Sequence, residues 1–218
     1  MRFLDLHTHS LASVGVDTPA RMCHQAERLG IEIGLCDGKR YEGPSGVEVY
    51  PKGKRDLKRD LDRWKGRADY IVVHGGREEV NREAACDDRV DILAHPDLER
   101  KDSGIDAFTA RKAAENGVAI EINLGRIIGT RGNHRVHALR NIRRNVMLAR
   151  KYGAQPVVAS GARSRYDLRE ACGVHELLRL VGLTEDEVQE AMEGTPRRIL
   201  ERNAERRDRA AEGVRVVA

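Results

Sequence analysis

Met1-Arg2-Phe3-Leu4-Asp5-Leu6-His7-Thr8-His9-Ser10 is the stretch from which the rest of the chain is read. Phe3, Leu4 and Leu6 make a short apolar run that predicts a strand. Strand side chains alternate between faces, so His7 and His9 point the same way at its end. Neutral imidazoles ligate zinc and its neighbours. A catalytic zinc, however, needs three protein ligands and an open position. What the following strands bring to this end therefore decides the chemistry.

Working outward, apolar runs at 31–36, 70–73, 90–94, 118–122 and 156–159 predict further strands, with a short one at 47–50. Between them lie helical patterns. Thr18-Pro19 opens the first and Gly30 closes it. Others cover 54–64, 77–86 and 105–115. A Gly- and Arg-bearing loop, 125–132, leads into a long helix ending near Tyr152-Gly153. Three short helices follow, from His175, Thr184 and Thr195, and beyond about Asn203 the chain turns polar. Residues 1–203 are thus expected to form one α/β unit, and 204–218 a polar C-terminal tail that frays. Strand and helix alternate throughout, which means parallel strands joined by helical crossovers. No Gly-x-Gly-x-x-Gly follows any strand, so a dinucleotide-binding sheet has little support. His7, His9, Asp37, His74, His95, Asn123 and Ser160 all come just after strands, and in a small TIM-like (β/α) barrel such ends converge on one mouth.

Composition narrows the function classes. The chain has 218 residues, with 39 Lys+Arg against 35 Asp+Glu, a mild excess that points to a nucleic-acid partner only where it is clustered. Aromatics at 4% argue against base stacking on exposed rings as the main binding mode. The four cysteines, Cys23, Cys36, Cys86 and Cys172, lack any Cys-x-x-Cys spacing and read as reduced, mostly core thiols. There is no membrane-length apolar run and no signal-peptide pattern, so a cytoplasmic protein without a membrane partner is expected.

His7-Thr8-His9-Ser10 and Ala94-His95-Pro96 resemble signatures of the PHP domain, a barrel family whose active members hold two or three metal ions for phosphoester hydrolysis. Against that pattern the second strand here ends Cys36-Asp37-Gly38, where a histidine is the rule. His74-Gly75-Gly76 stands where a glutamate is usual, and Ser160-Gly161-Ala162-Arg163 where the family has an aspartate and a histidine. On that resemblance His7, His9 and His95 remain as a vestigial or weak metal site, enough for a single residual divalent ion. No cofactor is required and no catalytic residue is assigned. Val90–Pro96, Val118–Asn123, Val157–Ala162, Asn81-Arg82 and the run Leu177–Gly182 narrow the resemblance to the archaeal ribonuclease P protein component 3 family. It implies a degenerate PHP barrel that binds RNA as a subunit of ribonuclease P, whose RNA removes 5′ leaders from precursor tRNA. The implied partners are the ribonuclease P RNA, precursor tRNA through the complex, and a small α/β protein subunit. The rival is a metal-dependent PHP-type phosphoesterase with a reduced site, drawing on Asp17, Asp37 or Glu121.

The basic residues separate into two kinds. In 52–67 aspartates are interleaved with the cations, as on a solvated helix. From Arg126 to Lys151 no acidic residue intervenes. Val136, Leu139, Ile142 and Val146 are expected to be the buried stripe of the long helix, with His137, Arg140, Arg144 and Lys151 on one flank. An unneutralised cationic ridge suits a polyanion. Arg126, Arg131, Arg140, Arg144, Lys151, Arg163 and Arg165 are therefore the candidate RNA-binding residues. Glu121, mid-strand between Ile120 and Ile122, is expected to face the barrel interior and to need a partner there, either Arg163 or a mouth histidine.

Overall fold

The computed structural model describes residues 2–211 and 214–215. The expected alternation is present. Strands β1 (Leu4–Thr8), β2 (Glu32–Leu35), β3 (Val47–Val49), β4 (Ile71–His74), β5 (Ile92–Ala94), β6 (Ala119–Asn123) and β7 (Pro156–Ala159) are separated by helices. These are α1 (Pro19–Leu29), α2 (Lys54–Trp64), α3 (Glu78–Ala85), α4 (Ala107–Asn116), α5 (Leu124–Ile128) and α6 (Gly132–Tyr152); α7 (Ala171–Leu180), α8 (Glu185–Gln189) and α9 (Thr195–Arg207) follow. Local chemistry sets these limits. Thr18 accepts from the Arg21 amide to open α1, and Gly30 closes it in the left-handed conformation that a side chain resists.

β1 pairs with β2, and β3 to β7 pair in order, all in parallel. Two seams join the pair to the five-stranded sheet. At one, Thr8 bridges Ala162 and the His9 amide donates to the Ala162 carbonyl at 2.8 Å. At the other, Leu35 bridges Ser45 and the Gly46 amide donates to the Leu35 carbonyl at 2.9 Å. The seven strands thus follow one another around a small barrel whose seams are isolated bridges rather than ladders, Thr8–Ala162 at the first and Leu35–Ser45 with Asp37–Val47 at the second. Leu4, Leu6, Cys36, Tyr70, Val72, Ile92, Ala94, Ala119 and Val157 fill the interior, and Ile199 of α9 joins them. On the opposite faces of the strands, Val47, Val49, Val73, Leu93 and Ile120 pack against α2, α3 and α4.

Four expectations are corrected. The stretch 125–132 is not all loop, because Asn123 caps the short helix α5 through the Arg126 amide. The buried stripe of α6 is Ala138, Ile142, Val146 and Ala149 with Asn141 and Asn145, whereas Val136 is 62% exposed and Leu139 only partly covered. Asn141 and Asn145 donate to the Asp102 and Ser103 carbonyls at 2.8 and 2.9 Å, so α6 docks on a loop whose carbonyls need donors. Of the cysteines Cys36 alone is buried; Cys23 and Cys172 lie on the exposed faces of α1 and α7, and Cys86 lies exposed in the turn after α3. Lastly, α8 and α9 form one rod, joined by a π turn over Glu190–Gly194. Pro196 lacks an N–H and its ring crowds the carbonyl four residues back, which the wider turn relieves. That rod runs past Asn203 to Arg207, and Arg209–Ala211 pairs antiparallel with Val214–Arg215. The rest of the expected tail, residues 212, 213 and 216–218, lies outside the described residues.

Candidate functional site

The C-terminal ends of β1, β3, β4, β5 and β6 bring six side chains together: His7, His9, Glu48, His74, His95 and Glu121. Glu121 accepts from His7 Nδ1 at 2.6 Å and from the His95 amide at 2.9 Å, so its partners are mouth histidines and not Arg163. Glu48 lies opposite. One of its oxygens is 3.3 Å from His7 Nε2 and 2.8 Å from His74 Nδ1, and the other is 3.1 Å from His9 Nε2. Tyr50 donates to Glu48 and packs its ring against His74 at 4.8 Å.

Sequence reasoning left Glu48 out of the site and His74 out of the ligand set. The signal for Glu48 was present: a lone carboxylate between Val47 and Val49, the pattern that marked Glu121 between two isoleucines. A side chain would be strained at two of these mouth positions. Gly38 is left-handed with the Trp64 ring where a side chain would start, and Gly161 is left-handed against Asn123. Arg163 is exposed at the rim, where its charge acts on the Tyr50 hydroxyl against the raising effects of burial and Glu48. Asp17 accepts from Ser164 and Arg165 at the rim. Asp37 accepts from Ser10, Ser13 and Tyr41.

Electrostatics couple the cluster. Burial opposes charge on His7, yet the Glu48 and Glu121 carboxylates outweigh it and hold the imidazole well above its usual pKa. Burial likewise opposes charge on Glu121, but His95 and His7 bring it down to about 2. His95 is driven down to about 4, mainly by burial. Burial also lifts the Asp5 carboxyl to about 6, against hydrogen bonds from Ser160 and His7. His95 has φ +47°, a left-handed backbone that is costly for a residue with a side chain and that collects at functional sites.

The donors fit a divalent metal ion. His7, His9 and Glu48 can converge on one point, as can His7, His95 and Glu121, or Glu48, His74 and His95. His7 Nε2 and His95 Nδ1 are buried without a hydrogen-bond partner among the described residues. Imidazole with carboxylate is a donor set for zinc-like ions.

The cationic residues divide. Arg131, Arg140, Arg144, Lys151 and Arg163 are exposed. Arg140 donates to the Lys101 carbonyl at 2.8 Å and Lys151 lies over the Tyr152 ring. Arg126 instead turns inward to Asp97 at 3.4 Å, and Arg165 pairs with Asp17 at 3.8 Å and donates to Tyr166. Arg150, part of the same run, is held by Glu187 at 2.6 Å. The charge that lacks acids along the chain is therefore partly answered by acids from other elements.

A sequence model of the family described as RNase P subunit p30 matches residues 40–208. This chain belongs to the RNase P subunit p30 family. Glu48, His74, His95, Glu121 and all of α6 fall within the matched p30 region, whereas His7 and His9 precede it. The chain is similar to ribonuclease P protein component 3 of Methanosarcina barkeri, 39% identical over 81% of this chain and 74% of the relative. With that of Methanothermobacter thermautotrophicus it is 33% identical over 100% of this chain and 96% of the relative. Its fold matches a chain in a cryo-EM structure of archaeal ribonuclease P with mature tRNA, with TM-score 0.80 and 21% identity over 99% of this chain and 98% of that one. A prolidase crystal structure shares the fold more distantly, with TM-score 0.58 and 11% identity over 92% of this chain and 74% of that one.

Proposed function

We infer that this p30-family chain works as an RNA-binding protein subunit of ribonuclease P. It assists RNA-catalysed removal of 5′ leaders from precursor tRNA and contributes no catalytic residue of its own. The observation that carries this reading is the family match over 40–208. The exposed flank of α6 supports it: His137, Arg140, Arg144 and Lys151 are spaced to share one helix face, and all are exposed. The partners are the ribonuclease P RNA, precursor tRNA within the complex, and a small α/β protein subunit. Among the described residues no helix is long and apolar enough to cross a membrane, and the workplace we assign is the cytosol.

Arginines on such a face neutralise phosphates and position the RNA without reading its sequence. Of the seven expected contacts, Arg131, Arg140, Arg144, Lys151 and Arg163 are kept; Arg126 and Arg165 hold internal carboxylates instead. The test is binding to ribonuclease P RNA across a salt series. Replacing Arg140 and Arg144 by Ala should weaken binding and flatten the log–log salt slope by roughly one unit per lost contact. An unchanged slope removes α6 from the interface. The phosphoesterase reading lacks the support of family membership.

A further inference from the structure

We propose that the closed end of the barrel, opposite the mouth, holds a nucleotide-binding pocket, with Trp64 against the base and Lys58 and Lys65 on the phosphate. A cavity of about 650 Å3 lies there, between the C-terminal ends of α2 and α9 and the turns that lead into β4 and β5. That volume is ordinary for a small-molecule site. A nucleotide asks three things of its pocket: a flat apolar surface for the ring, a hydrogen-bonding group at the ring's edge, and positive charge one sugar away.

Trp64 supplies the surface. It is the one tryptophan of the chain, it lines the cavity, and it is only partly covered. Its ring edge abuts Gly38, where a side chain would push the indole out of place. The Arg63 guanidinium lies over the ring, 5.4 Å from the centroid. A base takes the remaining face, since any base can stack on an aromatic ring.

Asn203 supplies the edge. Its Nδ2 donates to the Asp69 carbonyl at 3.0 Å and to the Asp91 carboxylate at 2.8 Å. Both partners are acceptors, so the amide is fixed with its nitrogen toward them. Oδ1 is the other end, and among the described residues no group donates to it. An N–H group on the edge of a base satisfies that acceptor.

The charge is selective. Of the cations that line the cavity, Arg89 is held by Asp87 and Asp62, Arg206 by Asp88 and Arg207 by Asp69. Lys58 and Lys65 also line it, and among the described residues neither has an acid within ion-pair distance. They are seven residues apart, Lys58 within α2 and Lys65 at its C-cap, and so stand on one side of the helix. Two unanswered ammonium groups beside an indole suit a phosphate joined to a base. A free mononucleotide and a nucleotide of single-stranded RNA share this chemistry.

The test reads Trp64 emission from the full-length protein, where no other tryptophan contributes. Titration with adenosine monophosphate should quench it saturably, with half-effect at about 1 mM or below, and inorganic phosphate alone should not. Lys58→Ala and Lys65→Ala alter exposed side chains and should each weaken binding by about fivefold. Lys101→Ala, on the mouth side, should bind as the wild type does. A short oligoadenylate that quenches at lower concentration than the mononucleotide identifies RNA as the source, and the reverse order identifies a free nucleotide. The proposal is overturned if neither probe quenches, if phosphate quenches equally, or if both lysine variants, with native circular dichroism, bind as the wild type does. Failure here leaves the ribonuclease P reading intact, because the salt slope of the Arg140 and Arg144 variants reports on α6 and either can fail alone.

Discussion

Asp91 shows how one residue closes the end of the barrel opposite the mouth. It sits just before β5, where burial raises its carboxyl, and it accepts from Asn203 at 2.8 Å, from the Ile71 amide at 2.8 Å and from Arg202 at 2.7 Å. These bonds tie α9 to the starts of β4 and β5. Replacing Asp91 by Ala takes the carboxylate away from the Ile71 amide and from Arg202, and should cost about 3 kcal/mol, the low end for a broken buried pair because Arg202 is a quarter exposed and keeps the Gly117 carbonyl. A urea titration would show it as a lower midpoint, and a midpoint like the wild type's would make the contact incidental. The exposed Arg206–Asp88 pair at 3.5 Å should be worth well under about 1 kcal/mol. At this scale Glu121 was legible because an acid within an apolar strand must meet a partner. Glu48 sends the same signal from a strand of three residues, too short to be read with assurance.

Between elements, α6 and α8 are joined by Arg150 and Glu187. Arg150 donates to both carboxylate oxygens, at 2.7 and 2.6 Å, while Glu187 completes the capping box of α8 with Thr184. Arg150 foremost holds the Glu187 carboxyl down at about 2, against an ordinary 4.5. A depressed carboxylate stabilises the fold fully above its unfolded value and loses that contribution as pH falls. The joint should therefore weaken from pH 4.5 down to about 2. Its worth is on the order of 1 kcal/mol after solvent screening. Comparing unfolding of wild type and Glu187→Gln over that window checks this: the variant's stability should vary less with pH, and parallel curves would refute it. This contact also explains why the cationic run was only partly readable. Its helix, its length and its exposed flank follow from local spacing, but Glu187 and Asp97 reach it from distant parts of the chain.

At the scale of the molecule, a ring of seven strands with two thin seams should open unevenly. The His9 amide at one seam and the Gly46 amide at the other lie at isolated bridges outside any ladder, whereas β4, β5 and β6 have paired neighbours on both sides. Amide exchange should therefore be faster at His9 and Gly46 than at Val72, Val73 and Ile120. Equal protection would mean that the seams are as firm as the sheet. The sequence by itself determined the alternation of strand and helix, most element limits, the barrel and the pairing of His7 with His9. These follow from periodicity, caps and turns, which act within a few residues. Only the tertiary structure decided that Glu48 and His74 complete the mouth, that Arg126 and Arg165 turn inward, and that three cysteines face solvent. Those outcomes depend on which strands meet when the ring closes, and closure is settled by contacts between residues far apart in the chain.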